Sequence, residues 1–342
     1  MRFLVTGGAG FIGSAFVRTV LSRDPEAEVL VLDALTYAGN MQNLATVAHA
    51  PSFRFQKGDI RDPQAVHRAF DLFRPNTVVH FAAESHVDRS ILAPGDSVST
   101  NVQGTVLLLE AARDHPPDLF IHVSTDEVYG SIDEPCSADE SFPLHPSNPY
   151  SASKAGSDLL VLAYGRTFSL PVIVTRASNN YGPYQFPEKL IPLMIANALE
   201  RIPLPVYGDG RQVRDWLHVD DHCSALRTLV DRGRPGQVYN IGGRSALPNL
   251  EVVRRILHLC DRPESLIQHV PDRPGHDRRY AMSTGKIEVE TGWVPRVAFE
   301  DGLRHTIRWY LEHPEWVASV RTGEYLDYYE RNYVRRGEAA CG

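Results

Sequence analysis

A glycine-rich octapeptide near the start of the chain constrains the fold more than any other feature. Thr6-Gly7-Gly8-Ala9-Gly10-Phe11-Ile12-Gly13 separates a short apolar segment, which we predict as a strand, from a longer one with helical periodicity. Glycines at G-x-x-G-x-x-G spacing permit a tight turn and a close approach of the backbone to a pyrophosphate, and the free N–H groups of a helix N-terminus favour anions. The peptide therefore predicts a dinucleotide-binding turn between strand and helix.

Apolar strand patterns alternate with helical patterns over the first half of the chain. Strands are predicted at residues 2–6, 28–33, 53–57, 77–82, 119–124 and 172–176, and helices at residues 11–23, 63–73, 102–113 and 151–168. This alternation predicts an α/β fold of Rossmann type, with a doubly wound parallel sheet covered by helices on both faces.

A change of composition after about residue 181, where proline and glycine become frequent, indicates a second, smaller lobe of mixed α/β structure. We assign residues 1–181, with returning segments at about 215–246 and 298–330, to the dinucleotide-binding domain. Residues at about 182–214 and 247–297 are assigned to the smaller lobe, and residues 331–342 to a frayed tail.

The composition excludes several classes of protein. The net charge is −7, so nucleic acid is not an expected partner. Cys136, Cys223, Cys260 and Cys341 form no C-x-x-C pair, which argues against a disulfide framework and a structural zinc site and favours a reducing compartment. No apolar run approaches the length of about 18 residues that a membrane span needs, and no signal-peptide pattern is present. We expect a cytoplasmic protein that binds no metal and no membrane.

Asp33 ends the second predicted strand, downstream of the glycine turn. A carboxylate at this place can accept hydrogen bonds from the adenosine ribose hydroxyls and would repel a 2′-phosphate, and the next residue is Ala34 rather than an arginine. The expected cofactor is therefore NAD rather than NADP. Asp59 and Ile60, after the third strand, are expected beside the adenine, although a simple turn aspartate explains Asp59 nearly as well.

Tyr150 and Lys154 lie four residues apart on one face of a predicted helix. A nearby cation favours the phenolate, so Tyr150 could remove a hydroxyl proton near neutral pH. Together with Ser124 and Thr125, which end the preceding strand, the pair resembles the site of the short-chain dehydrogenase/reductase superfamily, specifically its extended branch that acts on nucleotide sugars. The resemblance implies that Thr125 and Tyr150 hold the sugar 4-hydroxyl and that Lys154 also holds the nicotinamide ribose.

Asp126 and Glu127 follow at a place where epimerases of this branch usually carry small or hydrophobic residues. Two adjacent carboxyls can divide acid and base work if their surroundings separate their pKa values. With Tyr150 and Lys154 they resemble the dTDP-glucose 4,6-dehydratases, and further motifs extend the resemblance over roughly residues 1–311. These motifs are DALTYAGN at 33–40, AAESHVD at 82–88, NNYGPY at 179–184, PEKLIP at 187–192, RDW at 214–216 and DRPGHD at 272–277.

The resemblance implies that dTDP-glucose is oxidised at C4, loses water across C5 and C6, and is reduced at C6, with tightly bound NAD regenerated in each turnover. Glu127 would remove the C5 proton, and Asp126 would protonate the departing 6-hydroxyl. The implied cofactor residues are Gly7, Gly10, Phe11, Ile12, Gly13, Asp33, Ala34, Leu35, Thr36, Asp59, Ile60, Ala82, Ala83, Ser85, Thr100, Tyr150, Lys154 and Asn180. The implied substrate residues are Ser85, Thr125, Asn179, Lys189, Leu190, Pro205, Tyr207, Arg214, Asn249, Asp272, Arg273 and His276.

Several alternatives stay open. His86 fits a structural histidine better than a catalyst, Arg214 could form a surface salt bridge with Asp215, and Asn249 could cap a helix. The rival functions are a 4,6-dehydratase of another nucleotide sugar, a UDP-sugar 4-epimerase and a catalytically silent NAD-binding protein. Apolar residues nearly all round the helices at 102–112 and 158–164 predict a homodimer joined by a four-helix bundle, as in the resembling family.

Overall fold

A computed structural model describes residues 1–321 and 323–334 of the chain. In chain order its strands are β1 (Arg2–Thr6), β2 (Glu28–Asp33), β3 (Phe53–Lys57), β4 (Thr77–His80), β5 (Leu119–Thr125), β6 (Val172–Ala177), β7 (Asn179–Tyr181), β8 (Leu204–Tyr207), β9 (Val213–His218), β10 (Val238–Ile241), β11 (Ala246–Pro248) and β12 (Ile267–Val270).

The α-helices are α1 (Phe11–Arg23), α2 (Pro63–Phe73), α3 (Val87–Leu92), α4 (Pro94–Ser97), α5 (Thr105–Asp114), α6 (Pro149–Phe168), α7 (Leu190–Glu200), α8 (Val219–Arg232), α9 (Asn249–Leu259), α10 (Gly285–Thr291), α11 (Phe299–Glu312), α12 (Pro314–Val320) and α13 (Gly323–Tyr329). Short 3-10 helices occupy Met41–Leu44, Asp126–Tyr129 and Glu264–Leu266, and π-helical segments occupy Val98–Gly104 and Glu330–Val334.

A seven-stranded sheet in the order β3-β2-β1-β4-β5-β6-β10 forms the centre of the molecule. All of its neighbouring strands pair in parallel. The strand order reverses between β1 and β4, and in a doubly wound sheet the carboxyl ends of the strands at such a point form the ligand-binding crevice. The predicted Rossmann-type α/β fold is confirmed.

Strand β1 shows why the strands of this sheet consist of consecutive apolar residues. Successive side chains of a strand point to opposite faces, so Phe3 and Val5 pack on one side with residues of α1 and α8. Leu4 packs on the other side with residues of α2 and α5. Helices cover both faces, so both sets of side chains are buried.

The smaller lobe contains a three-stranded sheet in the order β11-β9-β7 and a two-stranded parallel sheet of β8 and β12. Its apolar core combines residues of α7 and α9 with Phe299, Leu303, Ile307 and Trp316. Residues 298–330, which we assigned to the dinucleotide-binding domain, contribute the last four of these side chains to the core of the smaller lobe. The strand β10, by contrast, returns to the central sheet beside β6, as the predicted return of residues 215–246 requires.

Two further segments differ in detail from the prediction. The helix expected from residue 102 begins as the π-helical segment Val98–Gly104, in which the carbonyl of Asn101 accepts from Thr105 Oγ1 at 2.5 Å and from Ser157 Oγ at 2.6 Å. Within the tail predicted to be frayed, residues 331–334 are helical, and residues 335–342 lie outside the described part of the chain. None of the described helices combines the length and apolarity that a bilayer crossing requires.

Candidate active site

The turn between β1 and α1 has the shape that a pyrophosphate requires. Gly7 adopts a φ of +69°, and a Cβ added there would lie 2.6 Å from the backbone nitrogen of Ala82. A Cβ at Gly13 would lie 2.3 Å from the Gly7 carbonyl oxygen. Glycine is therefore required at both positions, and the exposed backbone at the N-terminus of α1 fits the phosphates of a dinucleotide.

Asp33 is held rigidly at the carboxyl end of β2. Its two carboxylate oxygens accept from the backbone N–H groups of Ala9 at 2.9 Å and Leu35 at 2.8 Å. Burial raises the pKa of Asp33, and these two hydrogen bonds oppose the rise. Leu35 does not line the cavity, and its backbone N–H helps to orient Asp33.

Asp59 forms an ion pair with Arg61 at 2.6 Å and also accepts from the Arg61 backbone N–H at 2.8 Å. The hydrogen bond from the Arg61 side chain is the main cause of the lowered pKa of Asp59. Asp59 therefore stabilises a turn, as the alternative interpretation of this residue requires. Asp59 and Arg61 both line the cavity as well. Arg61 was not among the predicted site residues, because its place in the cavity wall depends on its ion pair with Asp59.

One cavity of about 400 Å³ extends from the glycine turn through the crevice to β8 in the smaller lobe. With the exceptions of Leu35 and Asp272, every predicted cofactor and substrate residue lines it. The described residues contain no cluster of histidine, cysteine, aspartate and glutamate able to hold a metal ion.

Helix α6 places Tyr150 and Lys154 in the middle of this cavity. Asn148 and Ser151 form a capping box at its start, which fixes the first turn. Lys154 is 3% exposed and donates to the Val123 carbonyl at 2.8 Å. Burial lowers the pKa of Lys154 to about 8, and the nearby carboxylate of Asp158 opposes this shift.

The surroundings of Tyr150 oppose the phenolate that we predicted from its spacing to Lys154. Burial raises the pKa of Tyr150 above its ordinary value, and the carboxylate of Glu127 raises it further. A hydrogen bond with Thr125 opposes the shift. These surroundings disfavour the Tyr150 phenolate, because a buried site next to carboxylates opposes a further negative charge.

Asp126 and Glu127 begin a 3-10 turn directly after β5, and Thr125 Oγ1 accepts from the Glu127 backbone N–H at 3.2 Å. Asp126 is 3% exposed, and its Oδ2 has no hydrogen-bond partner among the described residues. Burial raises the pKa of Asp126 well above its usual range, and the neighbouring Glu127 adds to the rise. Asp126 therefore suits a proton donor, whereas Glu127 is only partly buried.

Tyr280 contacts this pair from the smaller lobe, and sequence reasoning missed it. Its hydroxyl oxygen lies 3.3 Å from Glu127 Oε2 and 2.8 Å from Asp277 Oδ2. The guanidinium carbon of Arg214 lies 4.1 Å from the centre of the Tyr280 ring. No local spacing signals the contact, because Tyr280 and Glu127 are 153 residues apart.

Arg214 does not form the surface salt bridge with Asp215 that we considered. Arg214 is 4% exposed, and its guanidinium donates to the carbonyls of Val213 at 2.8 Å and Asp277 at 2.9 Å. Asp215 instead accepts from the backbone N–H groups of Gly243 at 2.7 Å and Ser245 at 2.6 Å. Arg214 therefore faces the cavity as a cation.

The far end of the cavity is aromatic. The ring of Tyr207 lies 6.0 Å from that of His276 and 5.7 Å from that of Tyr333, centre to centre. Asp272 does not line the cavity but lies 2.6 Å from His276 Nδ1, so it positions the histidine. Burial lowers the pKa of His276 to about 4. Tyr333 was missed because it belongs to the segment that we expected to be frayed.

Three asparagines contribute to the cavity wall. The side-chain oxygens of Asn179 and Asn249 are buried without a hydrogen-bond partner among the described residues. The capping interpretation of Asn249 is wrong, because Pro248 is the N-cap of α9 and no side chain caps it. Asn180 Oδ1 lies 2.9 Å from His222 Nδ1, so the missed residue His222 orients the amide of Asn180.

His86 and Lys189 hold the loop after β4 against the start of α7. His86 is 5% exposed with Nε2 3.3 Å from the Glu188 carbonyl oxygen, which supports the structural interpretation. Lys189 Nζ donates to the Ser85 carbonyl at 2.5 Å. Burial is the main cause of the lowered pKa values of both side chains.

Comparison with known proteins identifies relatives over nearly the whole chain. A family model described as GDP-mannose 4,6 dehydratase matches residues 4–306. A dTDP-glucose 4,6-dehydratase of Xanthomonas campestris is 53% identical, with 94% of this chain and 97% of that protein covered. The dTDP-glucose 4,6-dehydratase of Salmonella typhimurium is 48% identical, with 98% of this chain and 100% of that protein covered.

Solved structures of a dTDP-glucose 4,6-dehydratase and of a nucleotide-sugar epimerase also match nearly the whole chain. DesIV, a dTDP-glucose 4,6-dehydratase from Streptomyces venezuelae solved with NAD and TYD bound, is 52% identical with a TM-score of 0.91, and the match covers 94% of this chain and 100% of that one. A UDP-glucose 4-epimerase from Thermus thermophilus solved with NAD is 34% identical with a TM-score of 0.84, and the match covers 91% of this chain and 99% of that one. The chain belongs to the nucleotide-sugar 4,6-dehydratase family, and within it to the dTDP-glucose 4,6-dehydratases.

Proposed function

We propose that this protein is a NAD-dependent dTDP-glucose 4,6-dehydratase that forms dTDP-4-keto-6-deoxyglucose and water. The observation that carries the proposal is the pair of adjacent carboxyls, Asp126 and Glu127, in unlike surroundings beside Tyr150 and Lys154. Oxidation and reduction at C4 need the tyrosine and the lysine but neither carboxyl. Elimination of water needs both an acid and a base.

The glycine turn and Asp33 fit NAD. The turn allows its backbone to approach a pyrophosphate closely, and Asp33 presents a fixed carboxylate to the ribose hydroxyls. When bound, NAD supplies the hydride acceptor for C4 and the hydride that reduces C6. We assign to Lys154 the nicotinamide ribose and to Asn180, held by His222, the same end of the cofactor.

Four side chains of this protein take part in the proton transfers of the reaction. Tyr150, as its phenolate and assisted by Thr125, accepts the proton of the sugar 4-hydroxyl. Since burial and Glu127 raise the pKa of this phenol, the transfer needs a compensating positive charge, and Lys154 is the cation that α6 supplies. A 4-keto group then acidifies C5–H, Glu127 accepts that proton, and Asp126 protonates the 6-hydroxyl as it leaves as water.

We assign the nucleoside diphosphate to the wall formed by the smaller lobe. Tyr207, His276 and Tyr333 offer aromatic faces to the base. Arg214 and Arg273 line the same part of the cavity, and arginine offers a planar set of donors to phosphate. Asn179 and Asn249 add buried oxygens that can accept from sugar hydroxyls.

Offering dTDP-, UDP- and GDP-linked hexoses to the purified protein without added NAD⁺ tests the proposal. We expect a 4-keto-6-deoxy product from dTDP-glucose in preference to the other two. Epimerised sugar with no loss of water would favour a 4-epimerase. Turnover of the UDP or GDP sugar in preference would favour another nucleotide, and no product from any donor would favour a silent NAD-binding protein.

We also infer a homodimer in the cytoplasm. Helices α5 and α6 pack side by side and leave Leu159 59% exposed and Phe168 45% exposed, which suits a four-helix bundle with a second copy. Cys136, Cys223 and Cys260 are free thiols, in keeping with a reducing compartment. The solution mass, with Leu159→Glu expected to give monomers, tests the dimer.

A further inference from the structure

A chain of buried polar side chains lies behind Lys154, and the reaction cycle above does not use it. Lys154 Nζ lies 3.4 Å from His122 Nε2, and the same ring nitrogen lies 3.5 Å from Asp158 Oδ1. Asp158 Oδ2 lies 2.9 Å from Arg176 Nε. His122 and Asp158 are 0% exposed, and Lys154 and Arg176 are each 3% exposed.

The cluster contains more positive than negative charge. Among these four side chains, Lys154 and Arg176 are cations and Asp158 is the one carboxylate, and all three are nearly fully buried. Burial lowers the pKa of Lys154, and Asp158 opposes the shift. Burial and the charge of Lys154 also hold the pKa of His122 well below its usual range, so this imidazole is neutral.

A neutral imidazole nitrogen either accepts or donates a hydrogen bond. If His122 Nε2 accepts from the Lys154 ammonium, it cannot also donate to Asp158 Oδ1. The other ring nitrogen, His122 Nδ1, has no hydrogen-bond partner among the described residues, so no third group fixes the tautomer. The charge of Lys154 therefore decides which nitrogen of His122 carries the proton.

His80 provides the contrast on the neighbouring strand β4. Its ring centre lies 5.2 Å from that of His122. Both of its nitrogens are occupied by hydroxyls, Nδ1 with Thr6 Oγ1 at 2.7 Å and Nε2 with Thr105 Oγ1 at 3.0 Å. His80 is equally buried but is bonded to these threonines and not to the lysine.

We propose that His122 is a positioning residue for Lys154, because its Nε2 accepts from the lysine ammonium and orients the lysine Nζ. This inference rests on the proposed role of Lys154 in the dehydratase. Several charged and titratable groups surround the cluster of His122 and Lys154. They are His80 from β4, Asp158 and Tyr150 from α6, Arg176 from β6, and Tyr129 from the turn after β5. Without an acceptor at His122, the lysine ammonium keeps only the carbonyl of Val123.

The test is the pH profile of kcat for 4-keto product formation in His122→Phe. A charged Lys154 is needed, so activity falls as the pH rises through the lysine pKa of about 8. Removing the acceptor destabilises the ammonium and lowers that pKa, so the alkaline limb should move to lower pH by about one unit. Asp126 titrates in every variant, so the shift between variants reports on Lys154.

His80→Phe is the matched control and should leave the alkaline limb in place. His122→Gln, whose carbonyl oxygen can accept from Lys154, should restore most of the wild-type profile. An unmoved limb in folded His122→Phe, or an equal shift in His80→Phe, would overturn the inference while leaving the dehydratase intact. His122→Leu replaces the phenylalanine variant if that does not fold, and failure of both to fold would make His122 a folding residue and withdraw the assignment. Absence of product from the wild type would instead refute the proposed function.

Discussion

The hydroxyl oxygen of Tyr280 lies 3.3 Å from Oε2 of Glu127, so a tyrosine of the smaller lobe contacts the proposed base of the larger domain. The same oxygen lies 2.8 Å from Asp277 Oδ2, and one phenol proton is shared between two carboxyl groups. This contact orients Glu127 toward the cavity from a fixed direction, because Tyr280 is 2% exposed and its ring is packed under Arg214.

Tyr280→Phe should therefore lower kcat by about tenfold, the effect of losing about 1.4 kcal/mol of orientation at the base. Steady-state formation of the 4-keto product measures it. Tyr239→Phe is the matched control, since Tyr239 is also buried and donates to a glutamate, Glu290, at 2.7 Å but outside the cavity. Equal losses in the two variants would show a general effect of removing buried hydroxyls.

Glu127→Gln should separate oxidation from elimination. Tyr150 and Lys154 are intact, so the absorbance of reduced cofactor should appear when dTDP-glucose is added, and the reaction should then stall because no base takes the C5 proton. Stopped-flow absorbance and mass spectrometry of the sugar follow the two steps. Dehydration at the wild-type rate would refute the assignment of Glu127.

Asp126→Asn should slow dehydration by about 10²–10⁴-fold, the usual loss for a positioned acid. Because Glu127 remains, the C5 proton should still exchange with deuterated solvent. In the wild type, a deuterium supplied at C4 should reappear at C6 of the same molecule, and one solvent deuteron should enter at C5. Solvent deuterium at C6 would contradict the proposed cycle.

The buried carboxyl of Asp126 should also make stability depend on pH. Its pKa is raised in the folded state, so the folded protein holds this proton more tightly than the unfolded chain does. Stability then falls as the pH rises above the ordinary aspartate value of about 3.9, until the folded-state pKa is passed. The melting temperature of Asp126→Asn should therefore rise relative to the wild type across this window. A difference that is constant with pH would argue against a raised pKa.

Asp33→Ala should weaken discrimination against NADP, because it removes the charge that repels a 2′-phosphate. We expect NAD to be released on denaturing the purified wild type. Binding of NAD and NADP to the apoprotein, followed by fluorescence, gives the ratio of dissociation constants. Release of NADP from the wild type, or an unchanged ratio in the variant, would contradict the role of Asp33.

Features confined to one turn of chain could be predicted from sequence. Gly7, Gly13 and Asp33 belong to one strand-turn-helix-strand unit, and Tyr150 and Lys154 share one helix face, so their geometry follows from local backbone rules. The same rules gave the bounds of β1, β2, β3, α1 and α2 as the structure has them.

Features that depend on distant contacts could not be predicted in this way. His222 reaches the cavity from α8, Tyr333 reaches it from the end of the chain, and Tyr280 contacts Glu127 from the smaller lobe. No spacing relates these residues to β5 or α6. The direction of the Tyr150 pKa also depends on burial and on Glu127, which a helix-face argument about Lys154 leaves out.

The return of β10 to the edge of the central sheet has a consequence for how this enzyme can change. A chain ending at residue 181 would leave β6 as the edge strand, paired with β5 alone, and would remove Leu226, Leu229 and Tyr239 from the core beneath the sheet. The part of the chain after residue 181 therefore cannot be exchanged as one block without removing a strand and core residues from the central sheet.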